Sequence, residues 1–377
     1  MTDTLRRACL TAVTGLGLCL TLLPAGQAQA QAPQTPTRVP CNDIAALKTA
    51  INTANTKGGS IVLAPRCVYS LTTADNPDDG LPEITGTVRI SGGDRTTIQR
   101  SPSATGGFRI FHVQQSGSLS LDSVTVRGGD AAGTGAGDRG GALYNDRGRL
   151  NLTGVTVRNN RAGFIAGGIW NNLGTLTLKD TTVHDNSSVV AGGVATSGTM
   201  TMRGGAIRGN VASDSAGGLA NAGDTTLNNA AVDGNDSEEF GGGIMTLDIN
   251  GRTGPLRLNS TQVSGNIASL RGGGILIGSR RPTTLYRSSV TGNAANGGPG
   301  SGGGILNDGS QFGVILGPDT LERKQSSSAT QTLPKVNLIK STVFRNTPDN
   351  CAPPNSVPHC DAVGSAPATN TPRPGKS

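Results

Sequence analysis

Between Gly140 and Asn307 the chain returns seven times to one pattern: a small residue, Gly-Gly or Gly-Ala, then an aliphatic. The aliphatics are Leu143, Ile169, Val194, Leu219, Ile244, Ile275 and Ile305, at steps of 26, 25, 25, 25, 31 and 30 residues. A second column, Val or Ile followed three positions later by Asn, keeps the same beat at Asn160, Asn186, Asn210, Asn235, Asn266 and Asn293. A third, aliphatic-x-aliphatic, precedes it at Leu150 and Leu152, Leu176 and Leu178, Met200 and Met202, and Leu256 and Leu258.

Self-similarity at such a period marks a stacked-repeat architecture. The apolar runs are brief, alternate with period two and are broken by Gly, Asn and Asp, so they are strands and not helices. At ~3.3 Å per residue, a repeat of about 25 residues divides into three short strands and three turns, one coil of a parallel β-helix. An all-β chain follows, with a single-stranded parallel β-helix of about ten coils over residues 60–350, ~45–50 Å long at one strand spacing per coil. Composition agrees: aromatics are 3% and Gly numbers 57 in 377 residues. A narrow tube filled by stacked aliphatics needs few large rings.

Residues 1–30 read as a secretory signal peptide, with Arg6 and Arg7, an apolar run from Ala8 to Leu23, and Ala28-Gln29-Ala30 as the cleavage site. A polar linker over 31–40 leads to a capping helix within 41–59. Asn42 or Asp43 caps it, Ile44, Leu47, Ile51 and Ala54 line one face, and Gly58-Gly59 stop it. Such a helix would close the open end of the first coil, as repeat proteins require. Signal removal leaves Cys41, Cys67, Cys351 and Cys360. An even number in an exported chain implies disulfides, and Cys41–Cys67 with Cys351–Cys360 is the simplest connectivity. Metal binding is the competing reading, but there is no Cys-x-x-Cys and there are only 3 His, so no metal is expected. Residues 351–360 form a disulfide-closed segment, and 361–377 read as a disordered tail without an apolar stretch, so the mature chain has no expected transmembrane segment. Insertions at 246–255, 278–282 and 308–335 fall at one turn of consecutive late coils and are expected to project together, with Thr320–Thr332 mobile.

In a parallel stack equivalent side chains lie ~4.8 Å apart, so columns are read from the alignment. Leu143 through Ile305 form an inward column, and Asn145, Asn171, Thr196, Asn221, Thr246 and Asn307 share its face. The column Asn160, Asn186, Asn210, Asn235, Asn266, Asn293 is a structural ladder at a turn, where Asn tolerates the left-handed region. The glycines are expected to permit a tight bend. Outward, Tyr144, Trp170, Ala195, Ala220, Met245, Leu276 and Leu306 form an apolar stripe. Its Tyr144–Trp170 pair suits sugar stacking or an interface, unless a loop covers it. A basic column of Arg127, Arg158, His184 and Arg208, continued by Asp233, Ser264 and Thr291, is flanked by Lys179 and Arg203. With a net charge of +7, an exported chain of this kind favours acidic glycans or anionic surface polymers over nucleic acid. Regularly spaced carboxylates of a uronate chain match the ladder. The alternative is a solvated face neutralised by Asp122, Asp130, Asp180 and Asp185.

The pairing of Gly-Gly-Ala/Gly-aliphatic with Val-x-x-Asn resembles the polymorphic outer membrane protein repeat, Gly-Gly-Ala-Ile/Leu with Phe-x-x-Asn. Gly140-Gly141-Ala142-Leu143 matches directly, while Val or Ile replaces Phe. The order of signal, Cys41 helix, Gly58-Gly59 strand, Cys67 and coils also looks like secreted actinobacterial proteins of the pectate-lyase-like superfamily. Over roughly residues 39–350 the resemblance implies a right-handed β-helix and leaves activity open, since such folds serve as lyases, hydrolases and adhesive proteins. The polygalacturonase motifs that the resemblance would supply are missing, and Asp78-Asp79 lacks their companions. The expected function is a secreted or cell-surface-associated, non-catalytic binder of an acidic glycan or surface polymer, with the cell wall as one place of association. One alternative is a polysaccharide lyase or hydrolase, requiring Ca2+ if a lyase, with Asp180 and Asp185 nearest to its ligand set; another is a structural, self-associating protein using the Tyr144–Leu306 stripe.

Overall fold

The computed structural model describes residues 35–133, 138–316, 321–326 and 333–360, so the stretches read as signal peptide and tail lie outside the described residues. The repeat winds into a parallel β-solenoid of about ten coils, as its spacing predicts. One coil shows the plan: strands Arg149–Thr153, Thr156–Arg158, Arg161–Ala162 and Ile169–Asn172 follow one another. The corners between and after them carry positive φ at Gly154 (59°), Asn159 (52°), Ala166 (63°) and Leu173 (55°). Left-handed residues bend the chain within one or two positions, which keeps each coil short.

The aliphatic-x-aliphatic and Val-x-x-Asn runs lie in one sheet and are continuous in Thr175–His184 and Thr199–Arg208. The Gly-rich strands form a second sheet. The third face is a set of very short strands that the sequence reading passed over, among them Arg161–Ala162, Asp236–Ser237, Ile267–Ala268 and Ala294–Ala295. Two residues after each ladder Asn, a small side chain turns inward: Ala162, Ser188, Ala212, Ser237, Ala268 and Ala295 are all buried. Such a column carries no hydropathy signal. Its place in the repeat was the cue.

Register follows the sequence alignment. Leu143 pairs with Ile169, then Val194, Leu219, Ile244, Ile275 and Ile305 in turn. All seven are fully buried in one core that runs the length of the tube.

Beside that core runs an amide ladder. The Asn160 side chain donates to Asn186 Oδ1 at 2.8 Å, Asn186 to Asn210 at 3.0 Å, Asn210 to Asn235 at 3.0 Å, Asn235 to Asn266 at 2.9 Å, and Asn266 to Asn293 at 2.8 Å. Asn293 and Asn346 extend it to Asn350. Each Oδ1 also accepts the backbone N–H of the preceding ladder Asn, and each Nδ2 donates to a Val or Ile carbonyl one coil back. The ladder Asn itself is not left-handed. That conformation belongs to the residue before it: Asn159, Asp185, Gly209, Gly234, Gly265, Gly292 and Arg345 all have positive φ. The side-chain hydrogen bonds, and not tolerance of positive φ, explain the Asn column.

The second glycine of each run is likewise present for space and not for φ. A Cβ on Gly218 would stand 2.6 Å from the Gly243 carbonyl oxygen and 2.9 Å from Asn235 Nδ2.

The ends and insertions complete the frame. Helix α1, Ile44–Lys57, is capped by Asp43, whose carboxylate accepts from the Ala46 amide at 2.9 Å, and ends at Gly58 with φ 69°. Its Leu47, Ala50, Ile51 and Ala54 cover the first coil. Thr37–Val39, read as linker from sequence, is a strand paired with Ile61–Leu63. Both disulfides form as expected, Cys41–Cys67 with Cα atoms 5.6 Å apart and Cys351–Cys360 with 6.3 Å. The late insertions meet, since Asp248–Ile249 pairs with Gly313–Val314, and Gln311–Leu316 turns back against Leu321–Ser326. Of the 320–332 stretch read as mobile, Leu321–Ser326 is a strand and the rest lies outside the described residues. Among the described residues no helix is long and apolar enough to cross a membrane.

Asn235→Ala removes four ladder bonds and orphans buried donors on Asn210, and is expected to destabilise by about 3–5 kcal/mol in urea unfolding. Gly218→Ala, which drives a methyl into backbone, is expected to cost about 2–3 kcal/mol in the same measurement.

Candidate functional site

The basic column is a true ladder on the large sheet. Arg127 pairs in register with Arg158, Arg158 with His184, and His184 with Arg208, each the last residue of its strand segment. Asp233 follows one coil on. Lys179 and Arg203 pair with each other on the neighbouring segment of the same sheet, both exposed. The side chains are held by polar neighbours: Arg127 donates to Gln99 Oε1 at 2.7 Å, Arg158 to Asn159 Oδ1 at 2.7 Å, and His184 Nδ1 lies 2.7 Å from Asp185. Among the described residues neither Arg127, Arg158 nor Arg208 has a carboxylate within ion-pair distance. Of the acids nearby in sequence, Asp130 faces Arg161 at 3.9 Å and Asp122 accepts from Ser123 at 2.7 Å, both off the column, while Asp185 faces the ladder's own His184. Asp233 is the nearest influence on Arg208; burial pushes its carboxyl above the usual range, against the pull of the Arg208 charge.

The aromatic pair is not part of that face. Tyr144 and Trp170 stand in register on the Gly-rich sheet. Of the two readings of the Tyr144–Leu306 stripe, open or covered, the covered one holds: Trp170 is 1% exposed, and Ala195, Ala220, Met245, Leu276 and Leu306 are all buried. They form a second apolar cluster with Ile165, Val190, Ile249, Phe312 and Val314. The late insertion folds back over the sheet, and Phe312 packs on Phe240 with ring centroids 5.1 Å apart. Trp170 therefore offers no open face for a sugar ring, and the stripe is no surface for self-association.

A further constellation lies one coil below Tyr144 in the same outward column. Ile84 bridges to Val113, and His112 pairs with Tyr144, so Glu83, His112, Tyr144 and Trp170 follow one another up the stack. His112 stacks on the Tyr144 ring with centroids 4.6 Å apart and planes 13° from parallel, and the Arg109 guanidinium lies 5.2 Å from that ring. Arg109 donates to Asp79 Oδ1 at 2.8 Å, and both residues are 1% exposed. The loop carrying Asp79 is tied down by backbone bonds, Gly80 N–H to the Arg109 carbonyl and Arg109 N–H to that of Asp78. His112 Nδ1 stands 3.4 Å from Asp79 Oδ2 and 3.5 Å from Glu83 Oε1. These three residues bring one ligand atom each within 4.8 Å of the others.

Burial alone would raise the Asp79 carboxyl, but the neighbouring His112 imidazole and the Arg109 charge more than offset it and hold it below the usual range. Asp78, at the rim, is raised by burial, only partly opposed by Arg109. Burial likewise raises Tyr144. Asp79 has charged neighbours from the next coil, Arg109 and His112, which are neither adjacent to it in sequence nor the missing polygalacturonase motifs. The cue lay in extending the Tyr144 column one coil towards the N-terminus.

Comparison of the chain with protein-family models, with curated proteins and with solved structures finds no match.

Removing one partner of the buried Asp79–Arg109 pair leaves an uncompensated charge. Arg109→Met is expected to destabilise by about 3–5 kcal/mol, and adding Asp79→Asn to recover a large part of that, both read from urea unfolding.

Proposed function

We propose that the chain is a secreted or cell-surface β-solenoid that binds an acidic glycan or anionic surface polymer without catalysis, laid along the Arg127–Arg158–His184–Arg208 ladder. What supports this reading is the register of the ladder together with the lack of a carboxylate within ion-pair distance of Arg127, Arg158 or Arg208 among the described residues; only His184 faces an acid, Asp185. Like charges directly opposite one another in a sheet repel. Three guanidinium groups and an imidazole one strand spacing apart, with a carboxylate only at the His184 rung, become favourable once an extended polyanion supplies charges at a similar interval. Lys179 and Arg203 on the same sheet widen the positive strip, and Arg suits carboxylate or sulfate through its planar fork. Two disulfides favour an oxidising compartment. The likeness to secreted pectate-lyase-like β-helices and to polymorphic outer membrane protein repeats fits the same setting. A lyase on this face would need clustered carboxylate ligands, and the group at Asp79, Glu83 and His112 sits on the Gly-rich side of the coil.

The test is a titration of polygalacturonate, a sulfated glycan and a neutral glucan against the protein at low and moderate salt. Binding of an acidic polymer that weakens with salt is expected, together with a loss of about ten-fold or more in Arg127→Gln/Arg158→Gln/Arg208→Gln. Equal binding by the triple variant, or release of unsaturated uronate products seen by ultraviolet absorbance, would overturn the reading.

A further inference from the structure

We propose that Asp79, Glu83 and His112 form a binding site for a divalent transition-metal ion, apart from the basic ladder. The distances carry the proposal. His112 Nδ1 is 3.4 Å from one carboxylate oxygen and 3.5 Å from the other, beyond the range of about 2.7–3.2 Å in which an N–H···O bond is well formed. Two ligand atoms each about 2.1 Å from one ion, at a near-tetrahedral angle, stand about 3.4 Å apart. A single Nδ1 carries at most one proton and serves one acceptor well, yet two carboxylates converge on it. The three groups are spaced as ligands around a shared centre.

The surroundings hold them in that arrangement. Arg109 occupies Asp79 Oδ1 at 2.8 Å and leaves Oδ2 turned towards His112. Asn76 Oδ1 accepts the amides of Asp78 and Asp79 at 3.0 and 2.9 Å, which fixes the loop. The stack on Tyr144 fixes the imidazole plane. Second partners of this kind are what orient the ligands of a metal centre. The group is also reachable: a cleft lined by Asn52, Asn55, Asn76, Asp78, Glu83 and His112 opens onto it, so water fills the coordination positions that the protein leaves. The Glu83 side chain is 40% exposed and forms its outer wall, while Asp79 and His112, at 1% and 12%, form its floor.

Ligand type narrows the ion. Two carboxylates and one imidazole suit Zn2+ or Mn2+, whereas Ca2+ takes six to eight oxygens and has no use for imidazole. Sequence inspection expects no metal because it weighs Cys and His motifs. Here the ligands come from two coils, and Glu83 and His112 meet only because one coil separates them.

The experiment is isothermal titration of ZnCl2 and of MnCl2 into the full chain after chelator treatment and dialysis. One ion per chain is expected for at least one of the two metals. Affinity is expected to fall at least about ten-fold in Glu83→Gln and in His112→Gln and to stay unchanged in Glu238→Gln, an exposed acid elsewhere on the solenoid. Glu83→Gln decides the matter if His112→Gln fails to fold, because Glu83 is at the surface and its variant is checked by an unchanged urea midpoint. Absence of saturable one-to-one binding of either ion, or binding that Glu83→Gln leaves intact, overturns the proposal.

Discussion

The amide ladder from Asn160 to Asn350 sets the terms for everything else in this molecule. Each of its side chains is buried, and buried amides must be hydrogen-bonded. Their partners are the neighbours one coil above and one coil below. A slip of one residue in any coil would break two sets of bonds at once and turn the inward column of that strand outwards. The glycines press the Gly-rich strands against the ladder so closely that a methyl does not fit. Hydrophobic stacking fills the tube, and the amides specify which residue stands over which.

That register explains why so much of the fold was legible. The inward column, the Asn column, the capping helix and both disulfides could be taken from spacing, since each depends on a repeated or a local signal. The third face was not, because its inward residues are Ala and Ser, which hydropathy does not distinguish from a turn. The residue that adopts positive φ was misplaced by one position throughout: it is the residue before each ladder Asn, variously Asn, Asp, Gly or Arg, whereas the Asn is kept for its side-chain hydrogen bonds. The Tyr144–Leu306 stripe was open to two readings, and over its late coils the cover comes from an insertion that follows no repeat.

The sites divide along the same line. The basic ladder lies inside the regular coils, so its geometry came directly from alignment. The Asp79, Arg109 and His112 group sits where coils are irregular, with loop 72–86 standing in for a Gly-rich strand. There the neighbours are set by isolated bridges, Asp79 to Arg109 and Ile84 to Val113, which leave no periodic trace. The two constellations are opposite in character, one a cationic row on an open sheet and the other a buried carboxylate group walled by a cleft.

The late insertions all leave the coil at one turn, and the coils beneath them keep their register. Strands on either side of Asp248–Ile249 and of the 311–326 hairpin pair as if nothing had been added. The solenoid therefore separates two kinds of evolutionary change. Lengthening that one turn alters the outer cover without disturbing the tube, whereas duplicating a whole coil would add one rung to the cationic row and leave every existing rung in place. The reach of the cationic row is in this sense a countable quantity, adjustable in units of one coil.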